Sequence, residues 1–151
     1  MEKGNEVFFM QVREIMNPSV VTIHPTESAA LAARLLARHN VGALPVCTSG
    51  GELHGLVTDR DIILRCIAAE EDPRNLTVGD IMTRRPVTVS PADDVRRAAS
   101  LMSSRQVRRL PVVEDGRVVG LLSLGDLAGC GKYEMEISKA LTDISDNIRR
   151  P

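Results

Sequence analysis

The chain is poor in aromatic residues, with no tryptophan, one tyrosine and two phenylalanines among its 151 residues. Proteins that bind single-stranded nucleic acid stack bases on aromatic side chains, so this composition argues against that function. Positive charge is not in excess either, because 19 lysines and arginines face 20 acidic residues and the formal net charge is -1. Such a chain has no long-range field that would attract a polyanion. We therefore expect no nucleic-acid partner and a core of aliphatic side chains.

Cysteines and long apolar segments are also scarce. The three cysteines, Cys47, Cys66 and Cys130, lie far apart, form no CxxC pair and have no histidine at metal-ligand spacing. A disulfide framework and a metal site are therefore not expected, which suits a reducing compartment. No apolar segment approaches the roughly 18 residues of a membrane span, and residues 1–6 lack the pattern of a signal peptide. We expect a cytoplasmic protein without a membrane partner.

The chain contains an internal repeat, which is visible when the sequence is aligned with itself at an offset of about 66 residues. Three pairs of segments align directly: 12–16 with 78–82, 21–25 with 87–91, and 41–46 with 107–112. After a shift of one residue in a turn, 55–61 also aligns with 120–126. Gly55 and Gly120 begin the last pair of segments, inside predicted strands. A glycine there permits the close approach of a backbone or a ligand.

Each repeat has the same predicted secondary structure. A short strand (20–23; 87–89) ends at a proline and is followed by a helix with apolar residues at helical spacing. Two strands joined by a glycine-containing turn come next (44–48 and 53–58; 110–113 and 118–123), and a second helix begins at Asp59 or Leu124. The fold class is therefore α/β (α+β), with two tandem β-α-β-β-α repeats related by pseudo-two-fold symmetry. The expected organisation is a leader (1–11), repeat 1 (12–69), a linker (70–77), repeat 2 (78–130) and a C-terminal helix (131–151).

The C-terminal segment is predicted to be an amphipathic helix over residues 134–149. Ile137, Leu141, Ile144 and Ile148 recur at helical spacing and define its apolar face. This face either packs on the core of its own chain or helps a dimer to form. The leader, with Phe8 and Phe9, leaves the same two alternatives open.

The segment that closes each repeat combines a hydroxyl with a carboxylate. Thr58 and Ser123 end their strands where a helix begins, and free backbone N–H groups at that point favour phosphate. Asp61 and Asp126 follow three residues later, where a carboxylate could accept hydrogen bonds from a ribose diol. The alternative is that the hydroxyl and the carboxylate only cap the helix. Because the whole arrangement is duplicated, we favour ligand binding.

A β-α-β-β-α unit with a Leu-Pro-Val strand (44–46; 110–112) and a closing Gly-x-x-[Ser/Thr]-x-x-Asp segment resembles a CBS domain. Two such units in tandem resemble the pair called a Bateman module, and the resemblance covers residues 12–128. No catalytic domain and no set of nucleophile, base and orienting residue is apparent. The chain is therefore similar to the freestanding CBS-pair proteins, and this resemblance implies a protein that is not an enzyme.

The resemblance implies two clefts, each drawing on both repeats. The first would combine Ser123 and Asp126 with residues of repeat 1, namely His24, Ala29, Val41, Gly42 and Ala43. The second would combine Thr58 and Asp61 with residues of repeat 2, namely Ser90, Val95, Val107, Arg108 and Arg109. The guanidinium groups of Arg108 and Arg109 suit phosphate oxygens and could serve either cleft, and Arg60 is a further candidate. All three arginines could instead be ordinary surface residues.

The expected ligands are AMP, ADP, ATP or an adenosyl compound such as S-adenosylmethionine. As in energy-sensing members of the resembled family, ligand binding would be read by a regulated protein, whose identity the sequence does not indicate. The resemblance also implies a homodimer. The alternative is a structural scaffold for interaction or dimerisation, in which the nucleotide clefts are not functional.

Overall fold

The order of helices and strands follows the internal repeat. The computed structural model describes residues 10–129, 139 and 141–144. A 3₁₀ turn (Val12–Glu14) precedes α1 (Ala29–His39), β1 (Ala43–Cys47), β2 (Leu53–Thr58) and α2 (Asp59–Ile62), which continues into a π-helical turn (Ile63–Ile67). The second half contains α3 (Val78–Ile81), β3 (Thr83–Arg84), α4 (Val95–Arg105), β4 (Arg109–Glu114), β5 (Arg117–Ser123) and α5 (Leu124–Ala128). Both second helices begin where the sequence predicts them.

Each repeat is built around an antiparallel hairpin. β1 pairs with β2, which also pairs with β3, and β4 pairs with β5 in a separate sheet. The two hairpins correspond closely, since Leu44 lies opposite Val57 and Leu110 lies opposite Leu122. Both also have a register shift directly after the valine of the Leu-Pro-Val segment, Val46 in β1 and Val112 in β4. The mixed α/β class and the repeated architecture are therefore confirmed.

The predicted first strands, 20–23 and 87–89, are wrong as strands and are each reduced to one parallel bridge. Ile23 donates its N–H to Pro45 O and accepts from Cys47 N–H, at 3.1 and 2.9 Å. In a parallel ladder the next bonds would require N–H groups of Pro45 and Pro25, which proline does not have. Val89 forms the equivalent bridge to Val112. The ladder stops on both sides because prolines flank each bridge.

The segment that begins each repeat packs against the other repeat. Val12 lies in the core of the second repeat with Val95, Met102, Leu110 and Leu122. In the same way Val78, Ile81 and Met82 lie in the core of the first repeat with Leu44 and Val57. The backbone is tied in the same exchange, since Val12 N–H donates to Asp93 O and Val78 N–H donates to Glu27 O, both at 2.8 Å. We call these two segments, residues 12–19 and 78–85, the exchanged segments. Their buried aliphatic side chains join the two repeats.

The two strand glycines accommodate this exchange. A Cβ at Gly55 would lie 2.6 Å from Met82 Sδ and 2.8 Å from Thr83 O, and a Cβ at Gly120 would lie 2.5 Å from Met16 Sδ. Both glycines therefore permit a close approach, as predicted. The atoms that approach them belong to the segment that begins the other repeat.

The described part of the C-terminal segment packs on the second repeat. Residues 139 and 141–144 are helical, and Ile144, 5% exposed, belongs to the core that contains Val12. Asp143 accepts a hydrogen bond from Ser103 Oγ, and its backbone oxygen accepts one from Gln106 Nε2 at 3.3 Å. Leu141 is exposed. Ile137, Ile148, Phe8, Phe9 and the rest of the predicted helix 134–149 lie outside the described residues.

Candidate functional site

The predicted hydroxyl and carboxylate of the first repeat form a capping box at the start of α2. Thr58 Oγ1 accepts a hydrogen bond from Asp61 N–H at 3.1 Å, and Asp61 Oδ2 accepts one from Thr58 N–H at 3.0 Å. Each group thereby satisfies a backbone donor that the short helix leaves unpaired. The capping interaction is therefore present, and a role of this pair in ligand binding stays a prediction.

Asp61 has further partners inside the protein. Its side chain accepts from Thr83 Oγ1 at 3.2 and 3.3 Å, and it lies 3.9 Å from Arg65 Nη1. The residue is only 7% exposed. Thr83 belongs to the exchanged segment, so Asp61 links β3 to the start of α2. Arg65 extends the link, because Nη1 also donates to the backbone oxygens of Ile81 and Met82 at 3.0 Å.

The second repeat has an equivalent capping box at the start of α5. Ser123 Oγ accepts from Asp126 N–H at 3.0 Å, and Asp126 Oδ2 accepts from Ser123 N–H at 2.8 Å. Asp126 also lines a cavity of about 510 Å³ together with Met10, Ile15 and two glycines, Gly125 and Gly129. The carboxylate of this repeat therefore faces a cavity beside the leader.

A larger cavity, of about 660 Å³, lies between the two repeats. This volume is in the range of small-molecule sites. Its wall combines the end of β2 and the start of α2, the segment from β3 to Val87, the end of α4 with the start of β4, and the C-terminal segment. The lining residues are Leu56, Thr58, Asp59, Arg60, Thr83, Arg85, Pro86, Val87, Arg105, Gln106, Val107, Arg108, Arg109 and Ile144. We refer to it as the arginine cleft.

The arginine cleft coincides in part with the second cleft implied by the sequence. The candidates that line it are Thr58, Arg60, Val107, Arg108 and Arg109. Three candidates do not line it: Asp61 is engaged as described above, Ser90 is exposed, and Val95 is buried in the second core. Their assignment to a ligand site stays a prediction.

Candidates for the first cleft lie mainly on repeat 1. Ala29 and Ala43 are buried, whereas Val41 and Gly42 are half-buried. His24 is half-buried, and its Nδ1 lies 2.8 Å from Thr26 Oγ1. None of these five residues lines the arginine cleft, and their roles also stay predictions.

Arg109 connects the two predicted clefts. It lies opposite Ser123 in the β4–β5 register, and it lines the arginine cleft. Its guanidinium group also packs directly on Gly42, where there is no room for a Cβ. The structure thus brings the start of β4 in repeat 2 against Gly42 of repeat 1.

Sequence reasoning missed several residues of the arginine cleft. Thr83 and Arg85 lie in the exchanged segment, Arg105 and Gln106 end α4, and Ile144 comes from the C-terminal segment. Arg105 and Gln106 directly precede the candidate Val107, and this position in the sequence could have identified them as residues of the same cleft. The other residues are distant in sequence from the predicted motifs and are brought there only by packing.

The two described cysteines, Cys47 and Cys66, are buried in the core. Burial raises the pKa of the Cys47 thiol to about 11. Burial, followed by the charges of Glu71 and Asp72, also raises the pKa of Cys66. Both thiols are therefore protonated at neutral pH, which makes them poor nucleophiles and poor metal ligands. Cys130 lies outside the described residues.

Two other kinds of site are absent from the described part of the chain. Across residues 10–129, 139 and 141–144, no group of three or more histidine, cysteine, aspartate or glutamate side chains could hold a metal ion. The helices in that part of the chain are also too short or too polar for any to cross a membrane.

Comparison with known proteins agrees with this architecture. Residues 12–67 and residues 78–131 each match the family model of the CBS domain. The chain therefore belongs to the CBS domain family and is a tandem CBS pair. The CBS domain-containing protein YhcV of Bacillus subtilis is 39% identical over 134 residues, which are 89% of this chain and 94% of that protein.

Solved structures of CBS proteins superimpose on the chain. The crystal structure of Hypoxic Response Protein I with two coordinated zinc ions has a TM-score of 0.74 and 34% identity, and the match covers 80% of this chain and 98% of that one. The CBS domain pair of protein MJ0100 was solved in complex with 5′-methylthioadenosine and S-adenosyl-L-methionine. It has a TM-score of 0.75 and 30% identity, covering 83% of this chain and 98% of that one.

Proposed function

We propose that this chain is a non-catalytic regulatory module that binds an adenine nucleotide or an adenosyl compound in the clefts between its CBS repeats. The observation that carries the proposal is the 660 Å³ cavity lined by both repeats. Ligand bound there would contact the exchanged segment, the end of α4 and the C-terminal segment at once. Binding could therefore change how these elements pack, and a regulated protein could read that change.

The MJ0100 complex supports the ligand class. That CBS pair binds two adenosyl compounds, and it matches almost the whole described fold of this chain. Five of the candidates line one cavity and supply a hydroxyl, an apolar contact and positive charge to it: Thr58, Arg60, Val107, Arg108 and Arg109. These are the groups that a ribose, an adenine ring and a phosphate require.

A thermal-shift panel tests the proposal, using AMP, ADP, ATP, S-adenosylmethionine, NADH and GTP. A ligand at a hundred times its dissociation constant adds about 2.7 kcal/mol to the free energy of unfolding. For a chain of this size the midpoint should then rise by about 5–10 °C. We expect the rise with adenine compounds and not with GTP. A flat panel at millimolar ligand, on folded protein shown to be free of bound nucleotide, would reject the proposal.

A scaffold without a functional nucleotide cleft is the second candidate. The observation that favours it is that both predicted carboxylates already serve in capping boxes, with Asp61 also bonded to Thr83. This candidate predicts the flat panel just described, together with an oligomeric state that no nucleotide alters.

We also propose that the module acts as a homodimer. Ile63, Leu64 and Ile67 follow α2 on the π-helical turn and are 58, 50 and 57% exposed. Three large apolar side chains this close together form a patch of the kind that marks an interface. Analytical ultracentrifugation should show a dimer that Leu64→Glu dissociates. A wild-type chain that sediments as a monomer at every concentration would contradict this assignment.

A further inference from the structure

The arginine cleft carries a strong excess of positive charge. Among the described residues that line it, five are arginines (Arg60, Arg85, Arg105, Arg108 and Arg109) and Asp59 alone is acidic. Within the described part of the chain, none of the five guanidinium groups forms an ion pair with a carboxylate. Like charges gathered in this way repel one another. An anion that entered the cleft would relieve this repulsion.

The backbone holds some of these arginines in specific positions. Arg85 has φ +50° directly before Pro86, in the left-handed region that a residue with a side chain rarely adopts. Arg108 is held by its backbone oxygen, which accepts a hydrogen bond from Leu124 N–H at 2.8 Å. Arg109 is held in the β4–β5 ladder opposite Ser123. The positive charge is therefore presented by several separate segments of the fold and not by a single loop.

The charge is not a property of the fold itself, because the equivalent positions on the other side of the pseudo-two-fold axis lack it. The repeat alignment places five uncharged or weakly basic residues at the positions of the five arginines, namely Gly125, Ser19, His39, Gly42 and Ala43. The same backbone arrangement therefore occurs twice, with arginines on one side only.

We propose that the arginine cleft binds the phosphate chain of a nucleoside diphosphate or triphosphate and discriminates against cationic adenosyl compounds. This inference rests on the proposed adenine-ligand function and specifies the ligand of that same site. A single phosphate monoester carries a charge of only about -1.5 to -2 at neutral pH. Two or more phosphates are needed to balance five arginines and one aspartate. S-adenosylmethionine carries a sulfonium cation, which these arginines repel, so this one of the two ligands of the MJ0100 pair does not suit the cleft.

Isothermal titration of the full chain with ATP, ADP, AMP, S-adenosylmethionine and inorganic tripolyphosphate tests the inference. Because a hydrogen bond to a charged group contributes about 1.5–3 kcal/mol, each added phosphate should tighten binding by about tenfold or more. We expect the order ATP, ADP, AMP, with S-adenosylmethionine weakest and measurable binding of tripolyphosphate alone. AMP or S-adenosylmethionine that binds as tightly as ATP would overturn the inference.

A double variant assigns the effect to the arginines. Arg108→Gly with Arg109→Ala installs the residues that repeat 1 carries at the equivalent positions, and it should weaken ATP binding by about a hundredfold. The control is Arg34→Gln with Arg38→Gln, which removes the same charge from exposed positions on α1 that line neither cavity. Circular dichroism establishes that both variants fold. Equal loss of ATP affinity in the two variants would overturn the assignment.

Adding GTP to these titrations separates this inference from the proposed function. GTP that binds as tightly as ATP, with AMP weak, would support the phosphate inference and reject the adenine specificity. Adenine compounds that all bind alike, whatever their phosphate number, would support the proposed function and reject the phosphate inference.

Discussion

The two repeats of this chain share a backbone and differ in charge. Both have a hairpin with the same register shift, a helix that ends at a left-handed residue (Asn40, φ 52°; Gln106, φ 55°) and a capping box at the second helix. Yet the arginines of the larger cavity have no counterparts across the pseudo-two-fold axis. The two repeats therefore share a backbone arrangement, and different side chains at a few equivalent positions give the two sides a different charge.

The repeats also differ in what packs on them. The described C-terminal residues contact only the second core, where Ile144 is buried, and Asp143 bonds to Ser103 of α4. Ile144 lines the arginine cleft as well. The wall of the arginine cleft therefore includes the C-terminal segment, so a ligand bound in the cleft would lie next to that segment.

The largest expected difference in stability between the repeats is at the strand glycines. Gly55→Ala should destabilise the fold by about 1–3 kcal/mol, because the new Cβ overpacks a core site. It would lie 2.8 Å from the backbone oxygen of Thr83, whereas at Gly120 the nearest backbone oxygen, that of Asn17, is 3.2 Å away. Gly120→Ala should cost less, since the flexible Met16 side chain can move.

Urea unfolding measures both glycine variants. Gly50→Ala is the matched control, because a Cβ there meets no atom within 4 Å, and its effect should stay within about 0.5 kcal/mol. Equal losses at Gly55 and Gly120 would show that the backbone contact does not decide the cost.

The capping boxes should behave alike in the two repeats. Thr58→Ala and Ser123→Ala each remove one side-chain cap and should each destabilise the protein by about 1 kcal/mol. Thermal unfolding without ligand measures the two variants, with Thr88→Ala as a control at an exposed position that begins no helix. A large loss of stability at only one of the two positions would show that the two capping boxes are not equivalent.

The smallest expected effect is a pH dependence of stability that arises in the second repeat alone. The hydrogen bond from the Ser103 hydroxyl, followed by the one from Lys139, holds the pKa of Asp143 below its ordinary value. Because the folded pKa is lower than the unfolded value of about 3.9, this carboxylate stabilises the fold above that pH. The contribution is lost as the pH falls through the folded pKa.

Urea midpoints measured between pH 6 and pH 3 test this dependence. The difference between the wild type and Asp143→Asn should shrink as the pH falls. Asp115→Asn, in the β4–β5 turn at φ 53°, is the control, since asparagine tolerates the left-handed conformation. A difference that does not change with pH would show that the charge of Asp143 does not hold the C-terminal segment.

Much of the fold could be predicted because the signals are local. Apolar periodicity, glycine turns and the repeat itself placed the hairpins and the starts of α2 and α5. The strands predicted at 20–23 and 87–89 do not form, because the strand that each would pair with contains a second proline, Pro45 or Pro111. The local pattern of 20–23 or 87–89 does not identify that partner strand. A ladder depends on donors from both strands.

The candidate site was predicted only where its residues sit in repeated motifs. Thr58, Arg60 and 107–109 lie on the arginine cleft because they flank strand and helix ends that face the other repeat. Arg85 and Ile144 could not be placed, since no local pattern says that the exchanged segment and the C-terminal segment reach the same cavity. Asp61 was expected at the ligand, but in the structure it bonds to Thr83, its neighbour across the exchange.

The sequence by itself determined the family, the two repeats with their hairpins and second helices, and the uneven distribution of arginine between them, because repeats and composition are local properties of the chain. The tertiary structure alone decided which segments complete each core and which arginines share a cavity. The physical reason is that burial is a property of the whole fold. Val12 and Val78 are buried by the opposite repeat, and that exchange brings Arg85 to the cavity that Arg108 and Arg109 line.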